Sequence, residues 1–349
     1  MPWLDNIRRV TPYVPGEQPQ GAVIKLNTNE CPYPPSPKVG EALASMSADN
    51  LRKYPDPTSE TLCAALADYY GLTPEQIFVG TGSDDCLAQC FLTFFAGKKP
   101  ILFPDVTYSF YKVWAEVYRI PYETIPLNDD FTVDPKAYGR ENGGIILANP
   151  NAPTGIATDL NVIEAIVAEN PNSVVIVDEA YIDFGGETAL SLLPGYENLV
   201  IVRTMSKSRA LAGMRIGYVM ASPTLIKYLN DVKFSVNSYT MNMPSLLAGV
   251  AAIKDDAYFR QTVARIIATR ERTKDELKKL NFGFPDSATN FIFATHPTIN
   301  AAELFDYLRE REIYVRYFSA PRLKDYLRIT VGTGQEMDTL LRTLAERIR

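Results

Sequence analysis

From Gln76 to Val202 the chain alternates short apolar runs with helical stretches. The runs are Ile77-Phe78-Val79, Ile101-Leu102-Phe103, Ile145-Ile146-Leu147-Ala148, Val174-Val175-Ile176-Val177 and Leu199-Val200-Ile201-Val202. They are rich in β-branched residues and lack polar alternation, which predicts strands buried on both faces. The helical segments between them predict a mostly parallel sheet covered by helices. In such a sheet the carboxyl ends lie on one edge, where open α/β sheets bind ligands. Five polar segments should therefore converge there: residues 80–84, 104–108, 149–155, 178–181 and 204–218.

On either side of this region the pattern changes. Prolines scattered through residues 12–37 forbid a continuous helix or central strand, so residues 1–38 read as an extended arm lying on another part of the protein. Residues 59–71 predict a helix with Leu62, Leu66, Tyr69 and Tyr70 on one face and Gly71 at its end. An exposed loop with Tyr54 at its tip precedes it. After Tyr239, residues 244–280 read as a long helical region, 291–293 and 327–331 as strands, and 301–312 and 335–349 as helices. This mixture predicts a smaller α+β domain. The expected division is an arm (1–38) packing with the small domain, a large domain (39–240) and a small domain (241–349).

Composition narrows the function. A formal charge of -6 on 349 residues argues against nucleic acid or an anionic membrane, both of which select for a basic face. Met1-Pro2-Trp3-Leu4-Asp5 has no basic region followed by an apolar run, and no window approaches the roughly 18 apolar residues of a membrane span, so the expected location is the cytoplasm. Cys31, Cys63, Cys86 and Cys90 show no metal-ligand spacing, and no metal is expected. The single histidine, His296, lies just after an apolar run and removes most imidazole-based catalysis, so a lysine, carboxylates, tyrosines or a cofactor must carry any chemistry.

The strand-end segments supply such groups. Lys207 is preceded by Thr204 and Ser206 and followed by Arg215, a set suited to holding a phosphate beside an amine. Gly80-Thr81-Gly82-Ser83-Asp84-Asp85 precedes an apolar helix and fits either a phosphate on free backbone N–H groups or an ordinary helix start capped by Ser83 or Asp84. It lacks the third glycine of the dinucleotide fingerprint. Asp178 ends an apolar strand and needs a cationic partner, either a core arginine or a protonated ring nitrogen, with Tyr181 supplying a hydroxyl nearby. An amine, an anion and a phosphate cradle in one crevice are what pyridoxal 5'-phosphate requires.

On these residues the sequence resembles the fold-type I pyridoxal-phosphate-dependent aminotransferases, and within them the histidinol-phosphate aminotransferase family. The likeness runs through Tyr13-Val14-Pro15-Gly16, Leu26-Asn27-Thr28-Asn29-Glu30-Cys31-Pro32-Tyr33, Tyr54-Pro55-Asp56, Gly82-Ser83-Asp84, Tyr108, residues 149–155, Asp178-Glu179-Ala180-Tyr181, residues 203–217 and Leu327-Arg328-Ile329-Thr330-Val331-Gly332. It implies Lys207 as the Schiff-base lysine and proton shuttle, Asp178 at the pyridine nitrogen, Tyr181 at the phenolic oxygen and Tyr108 stacked on the ring. The phosphate would be held at Gly82, Ser83 and Asp84, by Thr204 and Ser206, and by Arg215. Tyr54 would reach the neighbouring subunit's phosphate, implying a homodimer with shared active sites. Arg328 would fork onto the carboxylate of glutamate. Arg316 and Tyr13 would help bind the substrate phosphate, and Asn29 belongs to the same substrate-binding set.

The family usually has asparagine immediately before Pro153-Thr154-Gly155, where it bonds the phenolic oxygen; here Ala152 stands there, and the nearest asparagine, Asn151, is the expected substitute. Arg209 also stands where an aromatic or small residue is common. The resemblance implies amino transfer between L-histidinol phosphate and 2-oxoglutarate, a small-molecule donor and a 2-oxo acid acceptor, in histidine biosynthesis. The alternatives on the same fold are an aromatic amino-acid aminotransferase and a threonine-phosphate decarboxylase. A non-catalytic cofactor-binding regulator is the alternative of a different class, but it would need a DNA-binding segment that the arm cannot form.

Overall fold

In the computed structural model, which describes residues 1–348, strand β1 (Ile24–Lys25) leaves the proline-rich arm and pairs in parallel with Ile313–Tyr314, close to the other end of the chain. The central sheet comprises β2 (Ile77–Thr81), β3 (Ile101–Pro104), β4 (Tyr122–Ile125), β5 (Gly144–Ala148), β6 (Val175–Asp178), β7 (Leu199–Thr204) and β8 (Ile216–Ala221). Their order across the sheet is β2-β8-β7-β6-β5-β3-β4. Only β8 is reversed, running antiparallel to both β2 and β7. Two reversals restore direction, so the five strands read from the sequence all point the same way and their carboxyl ends share one edge.

Side chains alternate across the sheet. Ile145, Leu147, Val175, Val177 and Ile201 face one apolar cluster, packed with helices Glu60–Tyr70, Leu160–Glu169 and Met243–Lys254. Ile146, Ile176, Val200 and Val202 face the other, packed with helices Gly82–Phe94, Phe110–Tyr118 and Pro223–Val236. Burial of each such side chain stabilises by roughly 1.5–3 kcal/mol. The sheet edge carrying the polar segments is thus a rigid platform.

The strand pattern was incomplete at two places. β4 is an edge strand whose middle residues, Glu123 and Thr124, are exposed, so no apolar run marks it. β8 is buried along its whole length but directly continues the lysine-bearing stretch. The helix expected to begin at Cys86 starts at Gly82, which puts Gly82, Ser83 and Asp84 in its first turn.

The long helical region is two helices, Met243–Lys254 and Asp256–Lys279, meeting at Asp255. Beyond them, β9 (Phe291–Ala294), β11 (Arg316–Tyr317) and β12 (Leu327–Thr330) form an antiparallel sheet in the order β11-β12-β9, with Ile313–Tyr314 as β10. Its core includes Ile292, Leu304, Leu308, Ile329, Met337, Leu340 and Leu344, and Leu26 of the arm is buried among them. Leu26 also accepts a backbone bond from Thr330 and donates one to Tyr314. Helix Gly334–Ile348 closes this region; its expected last residue, Arg349, lies outside the described residues. Among the described residues no helix is long and apolar enough to cross a membrane.

Candidate active site

Strand pairing brings the chemistry-bearing residues to one edge: Asp178, the last residue of β6, is in register with Ala148 of β5 and Val202 of β7. Lys207 lies in the loop between β7 and β8, whose ends meet where Thr204 pairs with Gly217 and where Met205 N–H bonds Ile216 O at 3.0 Å. Gly217 must be glycine, because a Cβ there would stand 2.2 Å from the Gly82 carbonyl carbon. That contact sets the start of helix Gly82–Phe94 beside the lysine loop.

The result is a cavity of ≈ 220 Å³. At one end are the first turn of that helix, Thr204, Ser206 and Arg215. Thr81, at the N-cap, makes no side-chain capping bond, so the helix presents N–H groups and its positive dipole end to the cavity. Arg215, in the left-handed region with φ 52, pairs with Asp84 at 3.2 Å. Gly82 lies beneath the guanidinium, where a Cβ would come 2.5 Å from Arg215 Nη2. Thr204 donates its hydroxyl to Ser206 Oγ at 2.9 Å. Such a corner, with a helix N-terminus, two hydroxyls and a guanidinium, suits a phosphate.

At the centre, Lys207 Nζ donates to the Thr28 carbonyl at 3.2 Å and lies 5.9 Å from the Tyr181 ring centroid. Asn29 donates its amide to Tyr181 Oη at 2.8 Å, while Thr330 donates to Asn29 Oδ1 at 3.0 Å. Asp178 is buried; Tyr111 donates its hydroxyl to Oδ2 at 2.7 Å and Ala180 N–H bonds Oδ1 at 3.2 Å. Burial pushes the Asp178 carboxyl up to about 6, opposed by those two donors and reinforced by the charges of Asp84 and Glu179. Tyr108 donates to Asp84 Oδ1 at 2.9 Å, and burial together with that carboxylate pushes its phenol well above the ordinary range.

The far wall carries two guanidinium groups. Arg328 donates Nη2–H to Asn27 O at 2.9 Å, while its buried Nε has no partner. It lies between the Phe291 and Phe318 rings at 5.3 and 5.5 Å, and burial lowers its pKa. Arg316, opposite it in the β11–β12 register, donates to Val14 O at 3.0 Å and Pro15 O at 3.4 Å. Among the described residues neither arginine pairs with a carboxylate. Two like charges side by side are a standing invitation to an anion. Tyr13 of the arm stacks on Phe110, centroids 4.3 Å apart, and lines the same cavity.

Of the residues singled out from the sequence, Lys207, Asp178, Tyr181, Ser83, Asp84, Tyr108, Thr204, Ser206, Arg215, Tyr13, Asn29, Arg316 and Arg328 line one cavity. Asn151 does not. Its amide donates to Val106 O and Thr154 Oγ1, both at 3.0 Å, and accepts from Thr107 at 2.9 Å, so the loop's own polar groups hold it away while Ala152 faces the cavity. Ala152, not Asn151, thus stands on the cavity wall where the substitute asparagine was expected. Tyr54 is 79% exposed and stacks on Tyr239 at 4.5 Å, outside this cavity. The core-arginine alternative for Asp178 falls to its neighbour: Arg203 pairs with Glu179 at 2.8 Å. Sequence reasoning missed Tyr111, Asn27 and Glu30; the spacing of Tyr108 and Tyr111, three apart, was the available signal for the first.

A family model for class I and II aminotransferases matches residues 22–344. The chain is 49% identical over 350 residues to the histidinol-phosphate aminotransferase of Lactococcus lactis subsp. cremoris (strain SK11), covering 100% of this chain and 98% of that one. It is 50% identical over 348 residues to histidinol-phosphate aminotransferase 1 of Hydrogenovibrio crunogenus, covering 99% and 98%. Among solved structures, the histidinol-phosphate aminotransferase of Sinorhizobium meliloti, in complex with pyridoxal-5'-phosphate, superposes with a TM-score of 0.83 at 27% identity, covering 94% of this chain and 91% of that one.

Proposed function

The chain belongs to the class I and II aminotransferase family, and from that premise we propose that it moves an amino group between L-histidinol phosphate and 2-oxoglutarate with pyridoxal 5'-phosphate as cofactor. The observation that carries this reading is the set of unmatched charges lining one cavity: among the described residues the buried Asp178 carboxylate pairs with no cation, and Arg316 and Arg328 pair with no carboxylate. The residues fit the cofactor. Asp178 supplies an anion for a protonated ring nitrogen, and the first-turn N–H groups of Gly82, Ser83 and Asp84, with the side chains of Thr204, Ser206 and Arg215, supply donors for a phosphate.

Bound here, the cofactor supplies an electrophilic carbonyl for amine exchange and a ring that withdraws electrons from the substrate's Cα. Lys207 would supply the amine that holds it and would carry the proton to and from Cα. Asp178 keeps a proton on the ring nitrogen, and Tyr181 donates to the phenolic oxygen with Asn29 fixing its hydroxyl. Tyr108 supplies an aromatic face. Arg328, with a free Nε donor, takes the carboxylate of glutamate. Arg316 and Tyr13 take the phosphate of histidinol phosphate, which makes the substrate phosphate and the carboxylate neighbours on one wall.

The exposure of Tyr54 outside its own cavity supports a homodimer in which it serves the partner's site. The burial of Leu26 in the small core supports the arm-with-small-domain reading, and the packing of helix Met243–Lys254 on the large sheet supports moving the second boundary from 240 to Asp255. Four free cysteines support a cytoplasmic location.

Replacing Lys207 with Ala should lower transamination by on the order of 10⁴-fold and remove the visible absorbance of the lysine-linked cofactor. Full turnover by this variant would refute the assignment. Initial rates on histidinol phosphate, phenylalanine and threonine phosphate test the substrate; a preference for phenylalanine would take the phosphate role from Arg316.

A further inference from the structure

Tyr111 is a buried group that the mechanism above does not use. It lies on helix Phe110–Tyr118 with its ring at 0% exposure, packed against Phe91, Phe103 and Trp114 at centroid distances of 6.3, 6.1 and 6.3 Å. A phenylalanine would satisfy that packing. A buried hydroxyl costs free energy unless it is bonded, and this one makes a single bond, 2.7 Å to Asp178 Oδ2.

We propose that Tyr111 is a positioning residue for the cofactor: its phenol fixes the Asp178 carboxylate and holds it as an anion, leaving Oδ1, bonded only by Ala180 N–H, to meet the ring nitrogen. Among the described residues no cation pairs with Asp178. The charged and titratable groups around it are Asp84 and Glu179, which oppose its ionisation, Tyr108 and Tyr181 on the cavity walls, and Lys207, whose Nζ bonds Thr28 O instead. Arg203 is committed to Glu179. A neutral donor is therefore what counters burial. A cation in its place would satisfy the carboxylate completely and compete with the ring nitrogen, whereas a phenol holds one oxygen and leaves the charge uncompensated.

This inference rests on pyridoxal 5'-phosphate being the cofactor, and the test separates the two. Cofactor-free wild type, Tyr111→Phe, Asp178→Asn and the double variant are titrated with pyridoxal 5'-phosphate from pH 5 to 8, following protein fluorescence. Tyr111→Phe keeps the ring and should raise the Kd about tenfold at neutral pH, with the acid-side loss of affinity beginning at higher pH than in wild type. In the Asp178→Asn background the same change should add little, because its target is gone. A Kd and pH profile equal to wild type would overturn the inference, as would an equal loss in both backgrounds, which would mark a packing effect. Failure of the wild type to bind the cofactor would overturn the cofactor reading itself.

Discussion

Asp178 and Glu179 are consecutive carboxylates at the end of one strand, both buried, and they face opposite sides of the sheet. Glu179 is fully matched: Arg203 pairs with it at 2.8 Å, Thr188 donates at 2.8 and 3.0 Å and Ala189 N–H at 2.7 Å. Asp178 has a phenol and one backbone N–H. Arg203 and Arg328 differ in the same way, one paired and one with an orphaned Nε. A buried charge with its partner inside the protein is architecture. One without such a partner is half of an interaction whose other half must be a ligand.

The architectural carboxylate should show the largest effect on stability. Glu179→Ala strands the Arg203 guanidinium in the interior and should cost about 3–5 kcal/mol in urea unfolding. A loss below about 1 kcal/mol would mean that Asp183, 3.7 Å from Arg203, suffices alone. Asp178 should behave in the opposite sense. Its folded carboxyl is raised from 3.8 to about 6, so its contribution is fully present below pH 3.8 and is lost as pH rises through about 6. At pH 7 the cofactor-free protein therefore carries a burial cost on the order of 3 kcal/mol. Asp178→Asn should make it more stable by up to that amount, with the gain vanishing near pH 4; a gain that does not vary with pH would remove ionisation as its cause.

Two smaller effects complete the series. Arg328→Met should raise KM for glutamate on the order of 100-fold while costing the cofactor-free protein no more than about 1 kcal/mol, since the bond to Asn27 O is lost but no internal carboxylate is abandoned. A larger destabilisation would instead reveal an internal role. Asn151→Ala should cost about 1–2 kcal/mol through its lost loop bonds, with the Kd for pyridoxal 5'-phosphate unaltered. A weakened Kd would return Asn151 to the site.

The sequence made most of the sheet legible because fully buried parallel strands are apolar without alternation, and the five runs ending at residues 79, 103, 148, 177 and 202 have that form. β4 escaped because Glu123 and Thr124 of an edge strand face water, and β8 because nothing polar separates it from the lysine loop. Site residues at strand ends could be placed by topology alone. Side-chain direction within a loop could not: Asn151 sits one residue from the cavity, and three local partners decide where its amide goes. Tyr111 was hidden for a different reason, since its hydroxyl matters only through Asp178, 67 residues away.

The pairing of Thr204 with Gly217 makes the lysine loop a closed segment. Lys207 and Arg215 ride on it together, so insertions and deletions elsewhere in the chain leave the spacing between amine and guanidinium untouched. A change of length can alter that spacing only inside the loop itself. The constraint on its length falls where β7 and β8 meet, whereas the other strand-end segments that line the cavity are held by contacts of their own.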